Sequence, residues 1–168
     1  MLVGNKISIL SKLTQICVEK KDYAAGLLYC NEAIILCNKH ADGLGSEEII
    51  KIYQLSITLC ENGGFLERKS EIMPLYIQFV STIPNGLPWS LQLSFTEAAQ
   101  LFEVGLNEEA NQVLRLAADM VIDREIEARG IALAQDIIIK YGNTLFEKGE
   151  YEKAEFYLKK ALSLESLT

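Results

Sequence analysis

The sequence predicts an all-α protein, an α-solenoid of about four antiparallel helix pairs. Three observations predict it. Four short stretches, residues 16–23, 58–65, 100–107 and 144–151, are near copies of one another. Each has two apolar positions, a Glu, and then a break that is usually Gly. The Glu residues, Glu19, Glu61, Glu103 and Glu147, are spaced 42, 42 and 44 positions apart. A period in this range signals stacked supersecondary units, which usually bind other proteins rather than run chemistry. Apolar residues ahead of each break recur at three- and four-residue spacing, the period of a helix face. Only three prolines occur in 168 residues, which suits long helices.

In the first unit, Ile7, Leu10, Leu13, Ile16 and Cys17 form one apolar stripe. Leu27, Cys30, Ala33, Ile34 and Cys37 form the next. Asp22 is placed to cap the second helix, and Asn107 has the equivalent place in the third unit. The turns are expected at Lys21, Gly63, Gly105 and Gly149, where Gly supplies a positive φ. Lys21 departs from that pattern and predicts a looser or strained first turn. Residues 41–46 read as a loop, with Ser46, Glu47 and Glu48 opening the next helix. Pro74 falls inside the second helix of the second unit and predicts a kink near 72–75. Residues 84–89 form another loop, and Pro88 opens the third unit. The connection 123–130 has few breakers and is expected to stay largely helical. No second domain is expected within 1–168.

Apolar residues make up 49% of the chain, enough for a sizeable core. The net charge of −7 argues against a nucleic-acid surface, which needs clustered Lys and Arg. It favours neutral or basic partners. No stretch approaches the roughly 20 apolar residues that span a bilayer, and no secretory signal is read at the N-terminus. Cys17, Cys30, Cys37 and Cys60 sit within apolar helical patterns. They read as free buried thiols in a reducing, cytoplasmic compartment.

The C-terminal unit, about 135–168, carries more than a period. Gly142, Leu145, Gly149, Tyr151, Ala154, Leu158, Ala161 and Leu164 resemble a tetratricopeptide repeat closely. In the third unit Ala98, Leu101, Gly105, Ala110, Leu114 and Ala117 match that pattern. Cys17, Tyr23, Gly26, Cys30 and Ala33 match it in the first. The second unit is degenerate, with Arg68 where a small residue belongs. The resemblance covers about 7–40, 49–82, 91–124 and 135–168. The family's usual unit is about 34 residues, so this is a long-repeat type, similar to kinesin light chains and the peptide-sensing domains of some bacterial regulators. It implies a right-handed superhelix whose first helices line a concave groove.

Carried over by position, the groove residues are Ser8, Ser11, Gln15, Val18 and Glu19, then Ile50, Tyr53, Ile57, Cys60 and Glu61. The third unit gives Gln92, Phe95, Ala99, Phe102 and Glu103, and the fourth Asp136, Ile139, Asn143, Phe146 and Glu147. That surface is apolar and acidic. Only Lys140 and Asn143 resemble the basic clamp that holds chaperone tails, which argues against that ligand. Phe95, Phe102 and Phe146 read either as ligand anchors or as packing between neighbouring first helices. The Glu column reads either as a peptide contact or as solvated helix ends paired with a nearby Lys such as Lys20, Lys21 or Lys148.

The resemblance implies a non-catalytic adaptor or scaffold that binds a basic or apolar peptide or protein segment. The alternatives are a regulatory domain of a peptide-responsive regulator and a secretion-system chaperone. Cys30, Cys37 and His40 lack the fourth ligand and close Cys pairs of a structural zinc site. The pairs Glu47–Glu48 and Glu108–Glu109 read as helix openings. No phosphate loop is evident, so no catalytic residue, metal or cofactor is expected. In the final helix Phe156, Tyr157, Leu164 and Leu167 fall partly outside the apolar stripe. They predict contact with a second copy or a partner.

Overall fold

The computed structural model describes residues 2–165, and these form an all-α fold. The helices are α1 (Val3–Glu19), α2 (Tyr23–Lys39), α3 (Ser46–Gly63), α4 (Leu66–Thr82), α5 (Leu87–Glu103), α6 (Asn107–Ile122), α7 (Ala128–Glu147) and α8 (Tyr151–Glu165). A short 3₁₀ turn, Ala41–Gly43, follows α2. The helices pack in consecutive pairs, and the long period goes mainly into helix length, 15 to 20 residues each. Two compact units divide inside α4, at Tyr76 and Ile77.

All four intra-pair turns close in the same way. An amide donates to a carbonyl five residues back: Asp22 to Cys17, Phe65 to Cys60, Leu106 to Leu101 and Glu150 to Leu145, at 2.8–2.9 Å. This closure needs a left-handed residue just before the donor. Lys21 (φ 58), Gly64 (φ 73), Gly105 (φ 82) and Gly149 (φ 78) supply it. The strain expected at Lys21 is therefore present. In the second turn the left-handed residue is Gly64 rather than Gly63. Gly63 is the last residue of α3, and a Cβ there would sit 2.6 Å from the Phe65 ring.

That one-residue extension shifts α4. The buried residues Gly26, Cys30 and Ala33 of α2 correspond to Lys69, Met73 and Tyr76 of α4, one position later than the 42-residue spacing places them. Lys69, not Arg68, thus takes the small-residue position. Arg68 is half-exposed and donates from Nε to Asn31 Oδ1 at 2.8 Å. Helix α4 runs through Pro74.

In unit 1, Gly26 lets α2 approach its neighbours: a Cβ there would lie 2.4 Å from Leu59 Cδ1 and 3.0 Å from Cys17 Cβ. Thr14 and Ser56 occupy the column that holds Ala98 and Gly142 in unit 2, and all four are buried. Their hydroxyls donate to Leu10 and Ile52 carbonyls four residues back, so neither is an unsatisfied polar group. Asp22 caps α2 by accepting from the Ala25 amide.

In unit 2, Pro88 lies in the first turn of α5, as expected. Asn107 does not cap α6; it is the first helical residue, and Leu106 precedes it without a side-chain cap. The connection after α6 is not helical either. Residues 123–127 form a loop, and Arg124 donates to the Ser81 carbonyl at 2.6 Å and to its hydroxyl at 3.2 Å. Gln135 Nε2 ties α7 to the Ala161 carbonyl of α8.

Candidate functional site

The four column glutamates are all exposed, but they are not equivalent. Glu19, Glu103 and Glu147 are each the last residue of their helix. Glu61 is followed by Asn62 and Gly63 before α3 stops. The shift of α4 brings Lys69 Nζ to 3.0 Å from Glu61 Oε1. Glu19, Glu103 and Glu147 make no ion pair among the described residues, and Lys148 reaches across to Glu108 instead, at 3.2 Å.

In unit 1, α1 and α3 flank an open cleft of about 640 Å³ lined by Ser8, Ser11, Lys12, Gln15, Glu48 and Lys51 among others. Three of the expected groove positions therefore do line a cleft. Val18, Ile50 and Ile57 are half-buried. Tyr53 and Cys60 are not groove residues. Tyr53 is 2% exposed and Cys60 is fully buried. The Tyr53 ring stacks on Tyr76 with centroids 5.5 Å apart, and its hydroxyl donates to Asn38 Oδ1 at 2.9 Å. Burial pushes the phenol up to about 12, with the Cys37 thiol adding to the effect.

In unit 2 the corresponding residues stay accessible. Phe95 on α5 is half-buried beneath the Lys140 ammonium of α7, which stands 4.5 Å from its ring centroid. That contact makes the open faces of α5 and α7 neighbours. Gln92, Phe102, Glu103, Asp136, Asn143 and Glu147 are exposed, and Ala99 is half-buried. Ile139 and Phe146 are exposed as well, and Phe146 meets the Tyr151 ring edge-on at 5.3 Å.

Helix α8 departs from expectation. Leu164 is 2% exposed and belongs to the core, whereas Leu162 is 68% exposed. Helical geometry puts Leu164 in the Ala154–Ala161 stripe, three residues beyond Ala161. Tyr157 is half-buried and donates to Asp119 Oδ1 at 2.5 Å; burial, then that bond, raises its phenol pKa. Phe156 is exposed and packs edge-on against Tyr157. Leu167 lies outside the described residues.

Sequence reading missed a second concavity of about 640 Å³, lined by Arg115, Tyr141, Lys148, Lys153, Phe156 and Tyr157 among others. Its cations are engaged: Lys148 with Glu108, Lys153 with Glu150, and Arg115 with Asp119 at 3.8 Å. The spacing of Arg115 and Asp119, four apart on a helix, was the available signal.

All four cysteines are buried and free. Among the described residues no cluster of His, Cys, Asp and Glu is arranged to hold a metal ion, and no helix is long and apolar enough to cross a membrane. No protein-family model matches the chain, and no curated protein matches it.

Proposed function

We propose that this chain is a non-catalytic, tetratricopeptide-like module that binds a basic peptide segment on the adjoining faces of α5 and α7. One observation carries the reading. Two exposed carboxylates, Glu103 and Glu147, close these neighbouring helices without an ion pair among the described residues, and the exposed Phe102 directly precedes Glu103. A carboxylate in the last turn opposes the helix dipole, at roughly 0.3–1 kcal/mol each. A cationic ligand would offset that opposition, and the Phe102 ring offers apolar and cation–π contact. Asn143, on the open face of α7, adds a donor and an acceptor for a peptide backbone. The acidic balance of the whole chain steers the same class of ligand toward it.

Fluorescence anisotropy with a panel of labelled basic peptides, and acidic peptides as controls, tests this reading. Basic peptides should bind, and the double variant Glu103→Lys/Glu147→Lys should raise Kd at least about tenfold, a loss near 1.4 kcal/mol. Equal binding by the charge-reversed variant would sink the acidic surface. Failure of every basic peptide to bind the native chain would sink the ligand class.

A further inference from the structure

The repeat register exposes two edges that complement each other. The spacing that lays Glu103 on Glu147 also lays Gln92 on Asp136, Phe95 on Ile139 and Phe102 on Phe146. On α5 this edge is turned toward α7, with Phe95 beneath Lys140. On α7 the same edge is open: Ile139 is 41% and Phe146 60% exposed. The register that lays Glu19 on Glu147 lays Ile9 on Ile137, Lys12 on Lys140 and Ile16 on Thr144. Ile137 is fully buried, whereas Ile9 is 49% exposed. Ile9 and Ile16 are seven residues apart, two turns, and so share one edge of α1. Ser8, Ser11 and Gln15 line the cleft beside α3, and Lys12 stands at the border between that cleft and the Ile9–Ile16 edge.

We propose that a second copy of this chain docks here: the Ile9–Lys12–Ile16 edge of α1 in one copy packs on the Ile139–Phe146 edge of α7 in the other. The contact repeats between copies the packing that α7 makes on α5 inside unit 2. Charge agrees with it. Lys12 takes the place of Lys140, and Asp136, three residues before Ile139 on the same face, takes the place of Gln92. Both are exposed, and neither makes an ion pair among the described residues. The two edges are different surfaces, so the contact is heterologous and leaves a free edge on each copy for further addition.

Light scattering over a dilution series tests this with the 168-residue chain, Ile9→Glu, Phe146→Glu and an equimolar mixture of the two variants. The native chain should rise above monomer mass with concentration, and each variant alone should stay monomeric. The mixture should form a dimer, because Phe146→Glu brings an intact α1 edge and Ile9→Glu an intact α7 edge. A native chain that stays monomeric overturns the proposal, as does a mixture that stays monomeric. Undiminished self-association of Ile9→Glu also overturns it. Circular dichroism establishes that the variants fold. Should either lose its helical signal, Lys12→Glu and Asp136→Lys replace them. Each alone should weaken association and the two in one chain should restore it, and no change in either case overturns the proposal.

Discussion

Lys69 Nζ lies 3.0 Å from Glu61 Oε1, and that ion pair separates Glu61 from the other three glutamates of its column. Lys69 is nearly buried, so the carboxylate balances a charge that has left water. Glu61→Gln should therefore destabilise the protein by about 1–2 kcal/mol, since the pair is only partly desolvated. Glu103→Gln and Glu147→Gln should act in the opposite direction. Each removes a negative charge from a helix C-terminus and should stabilise by roughly 0.3–1 kcal/mol. Urea denaturation midpoints would show the opposed signs; a common sign for all three would refute the distinction.

The first turn invites a stabilising change. Lys21 holds φ at 58°, where the equivalent residues Gly64, Gly105 and Gly149 hold 73°, 82° and 78°. A side chain in this region costs roughly 1 kcal/mol through its Cβ. Lys21→Gly should raise stability by up to about 1 kcal/mol, less the added freedom of glycine in the unfolded chain. Gly105→Ala and Gly149→Ala should lower it by a similar amount, although a Cβ at either meets nothing within 4 Å. Thermal melts of the three variants would decide it, and a loss in Lys21→Gly would be the contrary result.

These turns also show what the sequence revealed and what it hid. The period, the helix pairs and the opening of α5 at Pro88 follow from local rules: apolar spacing, positive-φ turns and proline at a first turn. The slip at Gly63 and Gly64 does not. With two adjacent glycines, local preference does not choose which takes the left-handed conformation. In the structure Gly64 takes it, and the Phe65 and Tyr23 side chains fill the space a Cβ at Gly63 would need, so the last helical position accepts only Gly. The choice moves α4 by one residue and exchanges the roles of Arg68 and Lys69. The fate of Tyr53 was equally non-local. Its stack on Tyr76 and its bond to Asn38 come from α4 and α2, while its helical position matches that of the accessible Ile139. Asn107 looked like a cap because Asn favours that role, but the chain enters α6 one residue earlier.

Gly86 offers a purely steric test. Its φ is −81°, which any residue adopts, yet a Cβ there would stand 1.9 Å from the Val80 carbonyl oxygen. Backbone cannot yield as a flexible side chain can. Gly86→Ala should cost on the order of 2 kcal/mol or more, the range of overpacked sites. Gly45→Ala, with open space around it, should stay within about 0.5 kcal/mol. Chemical denaturation of both variants gives the comparison, and equal stability would mean that the α4–α5 turn relaxes freely.

Stability should fall in alkali, and the buried thiols and phenol of unit 1 set where. Burial pushes Cys37 from 9.0 to about 11, with the Glu48 carboxylate adding to it. Cys60 also rises to about 11, chiefly by burial, and Tyr53 rises from 10.0 to about 12. Each native pKa exceeds its unfolded value, so the native state holds these protons more tightly. Their contribution is whole below about pH 9 and is lost as pH climbs through the native values. A two-unit shift corresponds to roughly 2–3 kcal/mol for each group once fully titrated. Urea midpoints should thus be level from pH 7 to about 8.5 and decline steadily from pH 9 to 11. Growing net negative charge also weakens the fold in this range, so the slope alone is not diagnostic. Cys37→Ala isolates the thiol: it removes one titrating group while leaving the charge of the native state unchanged near neutrality. Its midpoint should decline less steeply than that of the native chain above pH 9. Parallel slopes for the two proteins would show that the Cys37 thiol plays no part in the alkaline loss.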